Sequence, residues 1–200
     1  MRFIFKTDYE QDIRLAKHGG HVFWYSLLVL SLLAAPWLID EYWLAQLTFV
    51  LIYGIVGLGL MLLAGFTGLF SIGHAAFLGV GAYTQAVLTN MGIPFPIALA
   101  MAALVSAAVG LVVGLPALRV KGIYLGIATL SFGFIVEEVF ARWEKVTGGN
   151  AGIHIKAPDL FGLKVDTADG FYFLCLALAV LATLAILNLL RSPTGRAFVA

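Results

Sequence analysis

From Tyr42 to Leu118 the chain runs for 77 residues without one Lys, Arg, Asp or Glu. A water-soluble domain distributes charge along its exposed faces and does not leave such a gap. A bilayer core takes roughly 20 apolar residues per helical crossing, so this stretch alone holds three crossings joined by tight Gly- or Pro-containing turns. Across all 200 residues 12% are charged and 62% hydrophobic, with a mean hydropathy of +0.99. That is about half the charge of an ordinary soluble protein. The expected fold is an all-α polytopic membrane protein with about six transmembrane helices, both termini cytoplasmic and one longer extracytoplasmic loop.

The uncharged runs place the spans near 22–39, 44–64, 72–90, 97–115, 122–140 and 171–190. Between them lie breakers: Asp40-Glu41, the Gly65/Gly68 pair, Met91 to Pro96, Pro116 to Lys121, a long polar loop, and Arg191-Ser-Pro193. The chain divides accordingly into a cytoplasmic segment 1–21, helices one to five over 22–140, an outer loop 141–170, and a sixth helix with the start of a cytoplasmic coupling region over 171–200. Ala34-Ala35-Pro36 is a poor cleavage site because Pro follows directly, so the first apolar run reads as a retained helix. The single cysteine, Cys175, supports neither a disulfide framework nor a cysteine metal site.

Lys and Arg set the orientation, since cytoplasmic flanks retain positive charge during insertion. With the N-terminus inside, Arg2, Lys6, Arg14, Lys17, Arg119, Lys121, Arg191 and Arg196 are cytoplasmic. Arg142, Lys145, Lys156 and Lys164 fall in the outer loop, balanced by Glu144, Asp159, Asp166 and Asp169. Within that loop, Gly152-Ile-His-Ile-Lys156 alternates like a short strand.

The segment Gly65 to Tyr83 is the richest in information: five of its nineteen residues are Gly. Membrane helices use small residues where backbones approach closely. At 100° per residue Ser71, His74, Gln85 and Thr89 share one narrow arc, with Leu78 among them. A lone His in an apolar run reads as a packing residue; an aligned polar stripe reads as the lining of a water-accessible path or a contact with a partner helix. Ala102, Ser106, Gly110 and Gly114 recur at every fourth position as a small-residue ridge, which reads as a helix-packing face or a moving contact between helices. Glu137 and Glu138 end the fifth run, where headgroups solvate carboxylates cheaply or where an outer vestibule meets a docking protein. Thr147 to Gly152 reads as a flexible glycine loop with no phosphate-loop pattern.

There is no G-x-x-x-x-G-K-[ST], H-E-x-x-H or G-x-S-x-G in the chain, and no paired intramembrane carboxylates. No motif here hydrolyses ATP, and no acid–base relay of a proton-coupled carrier is present.

Four segments together resemble a known family: Gly68 to Tyr83, Gly114 to Leu130, Thr147 to Ile153, and Arg191 to Phe198. In that order they are similar to the LivM-like permease subunits of branched-chain amino acid ABC importers. The resemblance implies a permease subunit, not an enzyme, in a bacterial-type cytoplasmic (inner) membrane. It implies a second, LivH-like permease subunit, two cytoplasmic ATPase subunits that use the ATP, and an extracytoplasmic substrate-binding protein. No cofactor is expected on this chain. The path would run along Ser71, His74, Gln85 and Thr89, with Arg191, Pro193, Gly195 and Arg196 approaching the ATPase. Family members continue past the last motif, so the resemblance implies either the front part of a longer subunit, the favoured reading, or an unusually short member. At Phe134 and Glu137 the chain departs from a family pattern of a Glu and a basic residue respectively. Branched-chain or other hydrophobic amino acids are the expected cargo, with urea or a short amide as alternatives. A secondary carrier or channel working without an ATPase is the second functional class, and a membrane-embedded enzyme the third.

Overall fold

The computed structural model describes residues 19–69, 71–117, 119–120, 122–155, 158–160, 163–165, 167–192 and 195. Arg2, Lys6, Arg14, Lys17, Lys121, Lys156, Asp166, Pro193 and Arg196 lie outside the described residues. The elements in order are α1 (Gly19–Leu38), α2 (Glu41–Met61), a π turn (Leu62–Phe66), α3 (His74–Asn90), α4 (Phe95–Ala117), α5 (Ile123–Arg142), α6 (Glu144–Thr147), a 3-10 turn (Gly149–Ala151), β1 (Asp159–Leu160), β2 (Leu163–Lys164) and α7 (Ala168–Arg191).

Each apolar run carries a helix. Four helical stretches are long and apolar enough to cross a bilayer: Glu41–Phe66, Phe95–Pro116, Ile123–Arg142 and Ala168–Arg191. The apolar part of α1, Phe23–Leu38, and the 17-residue α3 are shorter. Large apolar side chains face outward along these helices, with Trp37 79%, Leu38 76% and Ile123 73% exposed. In lipid such faces cost nothing, because hydrocarbon surrounds them as readily as protein does.

Two packed groups organise the chain. In the first, α2 lies along α7, and Leu44, Tyr172 and Leu176 bury together with Ala35 of α1. The Tyr172 ring is fully buried and its hydroxyl donates to the Leu32 carbonyl at 2.8 Å. Asp40 starts α2 in extended conformation, and Glu41 in the first turn complements the helix dipole. Thr167 caps α7, its hydroxyl accepting from the Gly170 N–H at 3.2 Å.

In the second group α3 and α4 form an antiparallel hairpin around the Met91–Gly92 turn, with α5 against α3. The α3–α4 seam is built of small residues: Ala76, Ala86, Ala98 and Ala102 are all buried. The loop between α5 and α7 differs from the expectation of a strand at Gly152 to Lys156. Gly152–Ile155 is not a strand; the Asn90 side chain donates to the His154 carbonyl at 3.1 Å, and that segment has no strand partner among the described residues. The pairing found is β1 with β2, antiparallel, Asp159 opposite Lys164 and Leu160 opposite Leu163.

Candidate functional site

The end of α2 does not stop cleanly. It widens into the π turn, the Thr67 hydroxyl donates to the Leu63 carbonyl at 2.5 Å, and Gly68 turns the chain with φ 67°. Such widened turns expose backbone and recur at functional sites. The connector then crosses to α5, where the Ile72 N–H donates to the Thr129 hydroxyl at 3.1 Å and that hydroxyl donates to the Gly126 carbonyl at 2.9 Å. Gly73 lies so close to α5 that a Cβ there would overlap the Thr129 carbonyl. Only glycine permits this approach.

Around this junction lies a cavity of about 560 Å³. Its walls are nearly all apolar, from the π turn, the start of α3, the second half of α4 and the start of α5; Thr67, Ser71, His74, Ser106 and Thr129 supply the polar groups. The His74 imidazole meets the Phe77 ring edge-on with centroids 6.1 Å apart. Its Nε2 stands 3.4 Å from where a side chain on Gly59 would begin. Its Nδ1 is buried with no hydrogen-bond partner among the described residues.

The four residues of the expected polar stripe therefore separate. Helical phase does not extend to Ser71, because α3 begins at His74 and residues 71–73 form the connector. Ser71 and His74 line the cavity; Gln85 and Thr89 lie at the other end of α3. There the Gln85 amide donates to the Thr89 hydroxyl and to the Phe95 carbonyl, each at 3.4 Å, bracing the α3–α4 turn. Leu78 is 36% exposed.

The ridge on α4 meets α3 along part of its length. Ala102 is buried; the Ser106 hydroxyl donates to the Phe77 carbonyl at 2.9 Å and sits 3.2 Å from the Cβ position of Gly81; Gly110 lies beside Phe77. A Cβ on Gly114 would have open space around it, and the residue lines the cavity with Gly110.

A second cleft, of about 630 Å³, opens between α3 and α5 on the other side of α3. Glu137, Phe134, Phe140, Tyr83, Gly73 and Gly79 are among its walls, and Gly149 to Gly152 close one end. That glycine segment is tightly folded. Thr147, 2% exposed, donates to the Phe140 carbonyl at 2.6 Å and the Trp143 carbonyl at 2.8 Å and accepts from the Gly149 N–H at 3.2 Å. Gly148 and Gly149 have φ 70° and 58°, and a Cβ on Gly148 would overlap the Gly152 carbonyl. The expected flexible loop is instead a tight turn, held by the threonine that precedes the two glycines.

Arg191 ends α7, exposed. Beyond it the Ser192 hydroxyl donates to the Leu189 carbonyl at 2.6 Å and accepts from the Gly195 N–H at 3.2 Å. Pro193 and Arg196 lie outside the described residues. Among the described residues no three His, Cys, Asp or Glu side chains come together as a metal set.

Residues 42–200 match the profile of a family described as the permease component of the branched-chain amino acid transport system. The chain is 38% identical over 202 residues to the high-affinity branched-chain amino acid transport system permease protein LivM of Salmonella typhimurium. It is 37% identical over 202 residues to the protein of the same description from Escherichia coli. Each alignment covers 88% of this chain and 47% of the relative, so the chain spans about half the length of the curated relatives it matches. No solved structure gives a significant match.

Proposed function

Because the chain belongs to the branched-chain amino acid transport system permease family, we propose that it is a transmembrane permease subunit of an ATP-driven importer for branched-chain or other hydrophobic amino acids. The observation that carries this reading is the cavity of about 560 Å³ where the π turn, α3, α4 and α5 converge. Small-molecule sites have about this size and this balance of apolar wall with a few polar groups. An aliphatic side chain fits the wall formed by Leu62, Leu63, Leu111 and Val113, with Ser71, His74 and Thr129 beside it. Ser71 and His74 border the path in this reading, and Gln85 and Thr89 hold the far end of α3.

The protein is a multi-pass membrane protein, and in this proposal it crosses six times with both ends cytoplasmic in a bacterial-type inner membrane. The segments are then 1–21 inside, 22–140 as five crossings, 141–170 outside and 171–200 as the sixth crossing and coupling approach. Arg191, Pro193, Gly195 and Arg196 lead to the ATPase. A LivH-like second permease subunit, two ATPase subunits that consume the ATP, and an extracytoplasmic binding protein complete the machine. Alternating exposure of the path to the two sides supplies transport, with nucleotide binding on the partners biasing the two states.

The test is uptake of labelled leucine into vesicles carrying this chain with its partner subunits. Uptake is expected to require ATP and the ATPase subunits. Uptake by this polypeptide in vesicles without any ATPase sinks the reading.

A further inference from the structure

The neighbouring carboxylates near the end of α5 have different surroundings. Glu138 is ion-paired with Arg142 and sits beside Ile135, Val139 and Trp143 on an outward face. Glu137, also exposed, lies 100° round the helix and stands among the lining residues of the α3–α5 cleft of about 630 Å³. Among the described residues no Lys, Arg or His nitrogen stands within ion-pair distance of it.

The rest of the cleft has the character of a small cation's site. Gly73, Gly79 and Gly133 form its floor, where α3 and α5 close on each other: a Cβ on Gly73 would overlap the Thr129 carbonyl and one on Gly79 would press on the Phe140 ring. The Tyr83 and Phe140 rings, with centroids 4.4 Å apart, form an aromatic wall. The glycine segment across the end is a poor anion cradle, because four of its amides are engaged at home: Gly148 N–H with the Glu144 carbonyl, Gly149 N–H with the Thr147 hydroxyl, Ala151 N–H with the Gly148 carbonyl and Gly152 N–H with the Gly149 carbonyl. A carboxylate without a counter-charge beside aromatic rings attracts an ammonium twice over, by charge-assisted hydrogen bonds and by the ring quadrupole.

We propose that the α3–α5 cleft is a binding site for the primary ammonium group of a small substrate, with Glu137 as its counter-charge and Tyr83 and Phe140 as its wall. The inference rests on the permease reading only in identifying that substrate with an amino acid, and the cleft is a second site, across α3 from the cavity taken as the path. A phosphatidylethanolamine headgroup offers the same ammonium, and the proposal commits to the free molecule.

The experiment is calorimetric titration of the full chain in nanodiscs of phosphatidylcholine and phosphatidylglycerol, which carry no primary ammonium. The probes are leucine, 3-methylbutylamine, which keeps the ammonium, and 4-methylpentanoate, which keeps the carboxylate. Leucine and the amine are expected to bind, and 4-methylpentanoate to bind roughly tenfold weaker or less, the scale of one lost charge-assisted contact. Glu137→Gln is expected to weaken amine binding by about tenfold or more, Glu137→Asp to retain most of it, and Glu138→Gln to leave it unchanged. Equal binding of 4-methylpentanoate, an indifferent Glu137→Gln whose circular dichroism is native, or no binding of either amine overturns the proposal. So does suppression of leucine binding by added phosphatidylethanolamine, which assigns the cleft to lipid. Failure of ATP-dependent uptake with amine binding intact counts against the permease reading and leaves the cleft site standing.

Discussion

Tyr172 of α7 supplies what Pro36 of α1 removes. Pro36 has no N–H, so the carbonyl of Leu32, four residues before it, lacks its helical donor. The Tyr172 hydroxyl donates to that same carbonyl at 2.8 Å. A proline inside a membrane helix is tolerated where a neighbour re-satisfies the freed backbone group, and here the neighbour is identified.

Tyr172→Phe is expected to lower stability by about 0.6 to 1.7 kcal/mol, the range of interhelical hydrogen bonds in membranes. In a Pro36→Ala background the penalty should shrink, because the restored amide at 36 serves Leu32. Denaturant unfolding in micelles of the four variants measures the coupling; equal penalties in both backgrounds contradict the pairing.

Gly73→Ala should be far costlier than Gly54→Ala. The first places a methyl group against the Thr129 backbone carbonyl, whereas Gly54 has open space around it. Overpacking of this kind costs about 1 to 3 kcal/mol, while alanine at an exposed helical glycine gains up to about 1 kcal/mol. Thermal unfolding of the two variants should give shifts of opposite sign.

Thr147→Val keeps the shape of a buried side chain and removes the donor to the Phe140 and Trp143 carbonyls and the acceptor for Gly149. About 1 to 3 kcal/mol of local stability is at stake. Hydrogen exchange at Gly148 to Gly152 should accelerate roughly tenfold or more while α3 and α4 amides stay protected. Unchanged exchange there would show that the turn holds without its threonine.

His74→Ala removes a polar side chain from the cavity wall, whereas Leu78→Val trims an outward-facing residue one turn along α3. In a complete transporter, uptake should fall by on the order of tenfold for the first, matching one lost polar contact, and change little for the second. Equal, small effects would return His74 to a packing role.

Helix positions were legible because each apolar run is bounded by Gly, Pro or charge, and bilayer length selects runs of this size. Helix pairing was not. A helix apolar on every side carries no stripe that says which face meets protein, so the contact of α2 with α7 is invisible in the composition of either. On the α4 ridge small residues mark close approach only in part: Ser106 and Gly110 sit beside Phe77, whereas a Cβ on Gly114 would meet nothing. The polar stripe misled at Ser71, where a turn interrupts the helical phase that the spacing assumed. The different surroundings of Glu137 and Glu138 depend on which neighbour packs on α5, and adjacent letters do not encode that.

The pairing of α2 with α7 also sets a clock. The α3–α4 hairpin is complete as soon as its second half leaves the ribosome, but α2 is made about a hundred residues before its partner. At about 5 to 20 residues per second that is on the order of 5 to 20 s of waiting. Lipid accepts the bare apolar face of α2 meanwhile, whereas the Leu32 carbonyl stays unserved until Tyr172 arrives. A photocrosslinker at Leu44 should therefore label lipid or insertion machinery in chains arrested before α7, and α7 itself once that helix has been released.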